Sequence, residues 1–279
     1  MNIQKVNYRD GNAPYEFTRS LRQTGFGVLT HHPIEKSLID AVYGDWGDFF
    51  KSDHKKKYLF NSQSQDGYFP FGTENAKGQS IKDLKEFFHV YPWGQYPKEF
   101  SDATWTLYDQ LVELTSTLLG WVEDQTPDHV KSNFSMPLKE MIKDSKRNLL
   151  RIIHYPPLDG KEQEGAIRGA AHEDINLITV LVAGTQPGLQ VQDTHGSWHD
   201  VSCDPGCLAI NTGDMLQEAS GGYYPSTTHQ VINPGNKIIN ESRYSMPLFL
   251  HPRDDVRLSK KHTAGQYLDE RLREIGLRG

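Results

Sequence analysis

Up to about residue 145 the apolar positions recur every three to four residues, and beyond it they alternate in short runs. The first pattern predicts amphipathic helices, because only one stripe of a 3.6-residue turn meets a core. Residues 16–24, stopped by Gly25, carry Phe17 and Leu21 four apart. Residues 35–50 carry Leu38, Val42, Trp46 and Phe49/Phe50 on one face. The strongest helix covers 98–123, where Leu107, Leu111, Leu114, Leu118 and Trp121/Val122 form a stripe suited to packing on a sheet. The second pattern predicts strands at 148–155, 176–182, 189–192, 197–201, 207–211, 227–233 and 243–250. Turn-forming segments separate them, notably Asp193-Thr-His-Gly-Ser197 and Asn233-Pro-Gly-Asn236.

Many short strands at this spacing predict a mainly β protein built on an antiparallel jelly roll, or double-stranded β-helix, with buttressing helices. A last helix is expected over 263–277. No low-complexity linker divides the chain. The expectation is a single domain over 1–279: a helix-rich N-terminal part (1–145), a jelly-roll core (146–252) carrying the chemistry, and a C-terminal helix (253–279).

Charge and cysteine content narrow the partners. Thirty basic against 36 acidic residues give a formal charge of −6. The densest basic cluster is His54-Lys-Lys-Lys57, read as a solvated helix end, so nucleic acid is not expected as a partner. Cys203 and Cys207 flank Asp-Pro-Gly and are too few for a disulfide framework or, by themselves, a zinc site. No apolar run approaches the 18 or so residues of a membrane span, and Met1 to Tyr8 is polar. A reducing, cytoplasmic setting and a monomer are expected.

The candidate chemistry lies in three residues. His172 and Asp174 sit two apart before the run Leu177-Ile-Thr-Val-Leu-Val182, and in a strand such residues share a face. His229 opens a second apolar run. Two imidazoles and one carboxylate are the ligand set of a non-haem Fe(II) oxygenase, which leaves metal positions open. A His-x-Asp pair alone arises about once by chance in a chain of this composition, and two hydrogen-bonded core histidines near an acid would look the same. Arg243 and Ser245, beginning fourteen residues after His229, also share a face of an alternating segment. The planar guanidinium fork and a hydroxyl suit a carboxylate, against the alternative of a strand-surface arginine.

Several segments resemble, in order, those of the isopenicillin-N-synthase-like branch of the Fe(II)/2-oxoglutarate dioxygenases. Gly25-Phe-Gly-Val-Leu-Thr-His-His-Pro-Ile34 is similar to its "GFF…NHGI" strand, and Gly67-Tyr68 and Asp83-Leu-Lys-Glu-Phe-Phe88 to its "GY" and "D-x-KE-x-F" segments. Arg151-Ile-Ile-His-Tyr-Pro-Pro157 is similar to "R-x-N-x-YPP". Gly188-Leu-Gln-Val191, Gly196-Ser-Trp198, Pro205-Gly206, Asn211-Thr-Gly-Asp214, Leu216-Gln217, Ser226-x-x-His229 and Arg243-x-Ser245-x-Pro247 complete the series. Two positions depart from the pattern. Ile153 stands where the family usually has an Asn that helps hold the cosubstrate, and Gln230 follows His229 where Arg is common.

The resemblance implies Fe(II) held by His172, Asp174 and His229, and 2-oxoglutarate as cosubstrate with its distal carboxylate on Arg243 and Ser245. It adds Tyr155 as a further donor to that carboxylate and ascorbate as a candidate reductant. The implied reaction oxidises an unactivated C–H of a small organic molecule with O2, releasing succinate and CO2. Two other readings differ in what they consume: an Fe(II) oxidase of the same fold that uses no 2-oxoglutarate, and a non-catalytic small-molecule sensor. His154, His195 and His199 are expected at surface or turn positions, Glu173 on the face opposite the ligands, and Tyr68, Phe69 and Phe71 either near the substrate or in the core.

Overall fold

The computed structural model describes residues 1–74, 81–235 and 239–274. The chain begins with β1 (Lys5–Asn7), α1 (Ala13–Thr24), β2 (Phe26–Thr30), α2 (Lys36–Lys51), a 3-10 turn over Asp53–Tyr58, β3 (Gly67–Phe69) and β4 (Glu86–Val90). Next come α3 (Ala103–Gln125), α4 (Asp128–Lys131), α5 (Leu138–Ile142), β5 (Leu149–Tyr155), β6 (Gly169–His172) and β7 (Ile178–Val182). The chain continues through β8 (Leu189–Gln192), β9 (Trp198–Asp200), β10 (Leu208–Thr212), α6 (Asp214–Ala219), β11 (His229–Val231), β12 (Arg243–Leu250) and α7 (Ala264–Glu274).

Two sheets result. The larger has eight strands in the order β1-β2-β10-β7-β12-β5-β4-β3, and the smaller has four, β6-β11-β8-β9. Period-two alternation sends neighbouring residues of the large sheet into different cores. Phe88, Ile152, Leu208 and Leu29 pack toward the helices with Leu107, Leu111, Leu114 and Leu118 of α3. Phe87, Ile153, Ala209 and Val28 instead pack with Leu189, Val191 and Val231 of the small sheet. The second cluster therefore fills the space between the sheets, in the manner of a jelly roll, although the ladders do not close into a barrel.

The predicted helices form, and their ends have local causes. α1 carries Pro14 in its first turn and stops at Gly25, whose left-handed backbone (φ 68°) lets its N–H bond the Leu21 carbonyl. The N-terminal part is less exclusively helical than its periodicity suggests, since it also supplies β1 to β4 to the large sheet. β4 reads Glu-Phe-Phe-His-Val and is buried throughout, so no alternation marks it as a strand. Helix α7 is described only to Glu274, and the rest of the expected 263–277 helix lies outside the described residues. The His54–Lys57 cluster falls in the 3-10 turn, and Lys55 is not a solvated end: its ammonium bonds the buried Glu86 at 2.9 Å.

Candidate metal centre and anion clamp

β6 ends at His172, so Asp174 does not share its strand, and the expected same-strand alternation is corrected. A stapled loop brings the carboxylate round instead. The Asn176 amide donates to the Ile178 carbonyl and to Thr179 Oγ1, turning the chain into β7. The backbone N–H groups of Asp214 and Met215, at the start of α6, donate to the Asp174 and Asn176 carbonyls. Gly213 passes so close that a Cβ there would stand 2.1 Å from the Asn176 oxygen. His229 opens β11 directly opposite His172 in the antiparallel ladder, and directly opposed side chains project to the same face. Their ring centroids are 4.4 Å apart.

The outward atoms of all three side chains are occupied, and the inward ones are free. His172 Nδ1 lies 2.8 Å from the Ala170 carbonyl and His229 Nδ1 lies 3.1 Å from the Thr227 carbonyl. A carbonyl only accepts, so each Nδ1 carries the proton and each Nε2 presents a lone pair. Asp174 Oδ2 accepts from Thr179 Oγ1 (2.6 Å) and Asn211 Nδ2 (2.8 Å). Its Oδ1 faces His229 Nε2 at 3.7 Å and His172 Nε2 at 3.9 Å. One ligand atom from each residue lies within 4.8 Å of the others.

The local electrostatics favour the ligating forms. The His172 side chain keeps 39% exposure, whereas Asp174 and His229 are buried. Desolvation first, then the facing His229, press the His172 pKa to about 4, so it is neutral near pH 7. Burial works against the Asp174 charge, but His229, His172 and the hydrogen bonds from Asn211 and Thr179 outweigh it and hold the carboxyl below its ordinary value. An orphan-free outer shell with three converging donors fits a divalent cation of the iron type.

The second group of residues lies on β12 and β5. In their ladder Arg243 stands opposite Tyr155 and Ser245 opposite Ile153. Since Tyr155 and Ile153 belong to the inter-sheet cluster, Arg243 and Ser245 face the same space. The period-two expectation for this pair holds. Arg243 is 2% exposed, and its guanidinium lies 5.0 Å from the Tyr155 ring centre. Its Nε donates to the Gln186 carbonyl at 2.9 Å, whereas the buried Nη1 has no partner. A Cβ at Gly184 would come within 2.8 Å of Nη2, so only glycine leaves the fork this room. Ser245 and Tyr155, each 3% exposed, lie on the same side of this ladder. A buried guanidinium with a donor left unpaired fits an incoming carboxylate.

Other sequence readings divide. His154 is neither a surface nor a turn residue: it is buried in β5, hydrogen-bonded to Glu86 and Ser242 and stacked on Tyr244. His195 lies in an exposed turn and His199 pairs with Asp193 on β9. Glu173, exposed beyond the end of β6, accepts from Thr228. Of the aromatic trio, Phe69 joins the inter-sheet cluster and stacks on Phe87, Tyr68 donates to Glu86, and Phe71 is exposed. Sequence reasoning assigned no role to Thr179 or Asn211, although Asn211 lies in the family-like segment Asn211-Thr-Gly-Asp214 and Thr179 in a strand beside the ligand loop. It also missed Arg168, four residues before His172 and so in step with it under strand alternation.

Comparison with known proteins places the whole chain. A family model described as the 2OG-Fe(II) oxygenase superfamily matches residues 146–252. A second, described as the non-haem dioxygenase in morphine synthesis N-terminal, matches residues 14–109. A solved structure from Shewanella oneidensis, provisionally described as an oxygenase, is 51% identical with a TM-score of 0.90, covering 99% of both chains. One from Caulobacter crescentus, provisionally assigned to the 2OG-Fe(II) oxygenase family, is 30% identical with a TM-score of 0.81, covering 98% of this chain and 99% of that one. The 2-oxoglutarate-dependent dioxygenase citB of Monascus ruber is 26% identical over 88% of this chain and 80% of its own.

Proposed function

This chain belongs to the 2OG-Fe(II) oxygenase superfamily and is an Fe(II)- and 2-oxoglutarate-dependent dioxygenase, and from that premise we propose which of its residues hold the metal and cosubstrate. His172 Nε2, His229 Nε2 and Asp174 Oδ1 hold Fe(II). Arg243, Ser245 and Tyr155 hold the distal carboxylate of 2-oxoglutarate. The observation that carries this reading is a contrast of satisfaction within one space: every outward atom of the three ligands is hydrogen-bonded, while Arg243 Nη1 is buried and unpaired. A purely structural cluster would leave neither converging lone pairs nor an orphaned cation.

When bound, the metal and cosubstrate supply the oxidising chemistry that cleaves a substrate C–H with O2, leaving succinate and CO2. The protein's share is orientation and exclusion of water. The Ala170 and Thr227 carbonyls keep each imidazole proton on Nδ1 and stop the rings from turning. Thr179 and Asn211 hold the Asp174 carboxylate by Oδ2, so Oδ1 stays presented. Phe26 sets its ring edgewise to His229, and with Val191 and Ile153 it gives an apolar wall between the sheets. The substrate is a small organic molecule, consistent with the acidic balance of the chain. The protein works as a monomer in a reducing cytoplasm; among the described residues no helix is long and apolar enough to cross a membrane.

The test is product-based. Iron-loaded protein supplied with 2-oxoglutarate and O2 should release succinate, and a compound screen for faster succinate release should find the substrate. O2 uptake without succinate would replace this reading with that of an oxidase, and no consumption of either with that of a sensor.

A further inference from the structure

Close to Arg243 lies a second buried guanidinium that the chemistry above leaves unused. Arg168, the residue before β6, is 1% exposed, among the largest fully buried side chains of the molecule. Its guanidinium carbon is 6.0 Å from the Tyr155 ring centre, and that of Arg243 is 5.0 Å from the same point, so the two are at most 11.0 Å apart. Arg168 Nη2 donates to the Glu241 carbonyl at 3.0 Å, and its buried Nε has no partner. No described carboxylate pairs with either arginine; the nearby Glu241 side chain is exposed and bonded to Gln186. The segments outside the described residues, 75–80, 236–238 and 275–279, contain no Asp or Glu side chain.

Two like charges buried on one tyrosine ring without a counter-ion are unfavourable as they stand. Cation–π attraction to Tyr155 offsets part of the desolvation cost but does nothing for the mutual repulsion. Burial first, then Arg243, weigh against the Arg168 charge. A guanidinium cannot escape by shedding its proton, so what relieves the pair is an anion. Glu74, Asp83, Lys85 and Arg151 show the contrast: they too are largely buried, but they pair with one another and carry no net charge.

We propose that Arg168 is a second cationic binding residue for the distal carboxylate of 2-oxoglutarate, so that this end of the site carries two positive charges and demands an oxo acid with a carboxylate at C5. The proposal rests on the assignment of Arg243 to that carboxylate. Arg168 adds a charge, and its unpaired Nε adds a donor direction that Arg243 does not supply. Its own hydrogen bond to the Glu241 backbone holds the fork beside the start of β12, where Arg243 lies.

The measurement compares two ligands in iron-loaded protein under anaerobic calorimetry: 2-oxoglutarate, and 2-oxopentanoate, which has a methyl group where 2-oxoglutarate has its distal carboxylate. The affinity ratio reads the distal end alone, because both present the same oxo acid to the metal. Arg168→Gln should shrink the ratio by about tenfold, leave 2-oxopentanoate and iron affinity unchanged, and be partly rescued by Arg168→Lys. Should Arg168→Gln fail to fold, Arg168→Met, which keeps the apolar stem, is read in the same way. An unchanged ratio, or equal weakening of both oxo acids, overturns the role of Arg168. Arg243→Gln, measured in parallel, separates the two readings. If it shrinks the ratio and Arg168→Gln does not, only the present inference falls; if neither variant moves it, the assignment of Arg243 falls as well.

Discussion

The two ends of the inter-sheet space are built on opposite plans. At one end His172, Asp174 and His229 have every outward atom bonded, to Ala170, Thr227, Thr179 and Asn211. At the other end Arg243 Nη1 and Arg168 Nε are buried without partners. The three converging donors are fully supported from outside, which suits a metal centre, where ligands tolerate little slack. The guanidinium end is left unsatisfied, and on the proposed reading the carboxylate of the cosubstrate would supply the missing acceptors. Rigidity serves the first and deferred satisfaction the second.

Removing a donor should break the metal end outright. His172→Ala or Asp174→Ala is expected to abolish iron binding and turnover while circular dichroism stays native, because these groups surround an opening and are not part of the apolar packing. Stoichiometric tight iron binding by either variant in anaerobic titration would contradict the assignment. At the anion end the loss should be large but graded. Arg243→Ala should raise the apparent KM for 2-oxoglutarate by more than about tenfold, the cost of leaving a desolvated carboxylate without its charged partner. Steady-state succinate assays check it, and an unchanged KM would move Arg243 out of the cosubstrate site.

A support removed behind the metal should cost less than a donor. Thr179→Ala frees one side of Asp174 Oδ2 and is expected to weaken iron by about tenfold, with Thr179→Ser restoring it. Iron affinities of the three proteins decide the matter, and equal values would mean that Asn211 alone suffices. The smallest effect is expected at Ile153, which stands opposite Ser245. Ile153→Asn adds one neutral hydrogen bond and should tighten 2-oxoglutarate only severalfold, on the order of 1 kcal/mol, with little gain in kcat. Should it create 2-oxoglutarate turnover where the native protein has none, the dependence itself would have been introduced by the substitution.

Legibility followed the same division of plans. The leucine stripe of α3 could be read directly because only one face of it meets the core, and the bounds of β12 because apolar Met246, Leu248 and Leu250 alternate with Arg243 and Ser245 in its first half. β4 and β6 could not: β4 is covered on both faces, and Gly-Ala-Ala-His offers almost no apolar side chain to show a period. The convergence of His172, Asp174 and His229 was legible from residue type and order, but the route by which Asp174 arrives was not, because a loop stapled by Asn176 and Gly213 leaves no periodic trace. His154 was misjudged for a related reason. Its burial depends on Glu86 and Ser242, which lie 68 and 88 residues away.

The pairing of β2 with β10 has a consequence for the protein while it is being made. Leu29 lies against Leu208, roughly 180 residues later in the chain, and β2 has only the three-residue β1 on its other side. Synthesis runs from the N-terminus, so β2 is complete long before its long-range partner exists, and its open edge must wait. Gly25, just ahead of it, is pressed against Thr227, whose carbonyl orients His229. The order of synthesis thus becomes an order of assembly: the helical layer can condense early on local contacts, the β2 edge closes only after most of the chain has emerged, and His229 comes into place after that. A ribosome stalled before residue 208 would hold a chain whose β2 edge is an exposed template for aggregation.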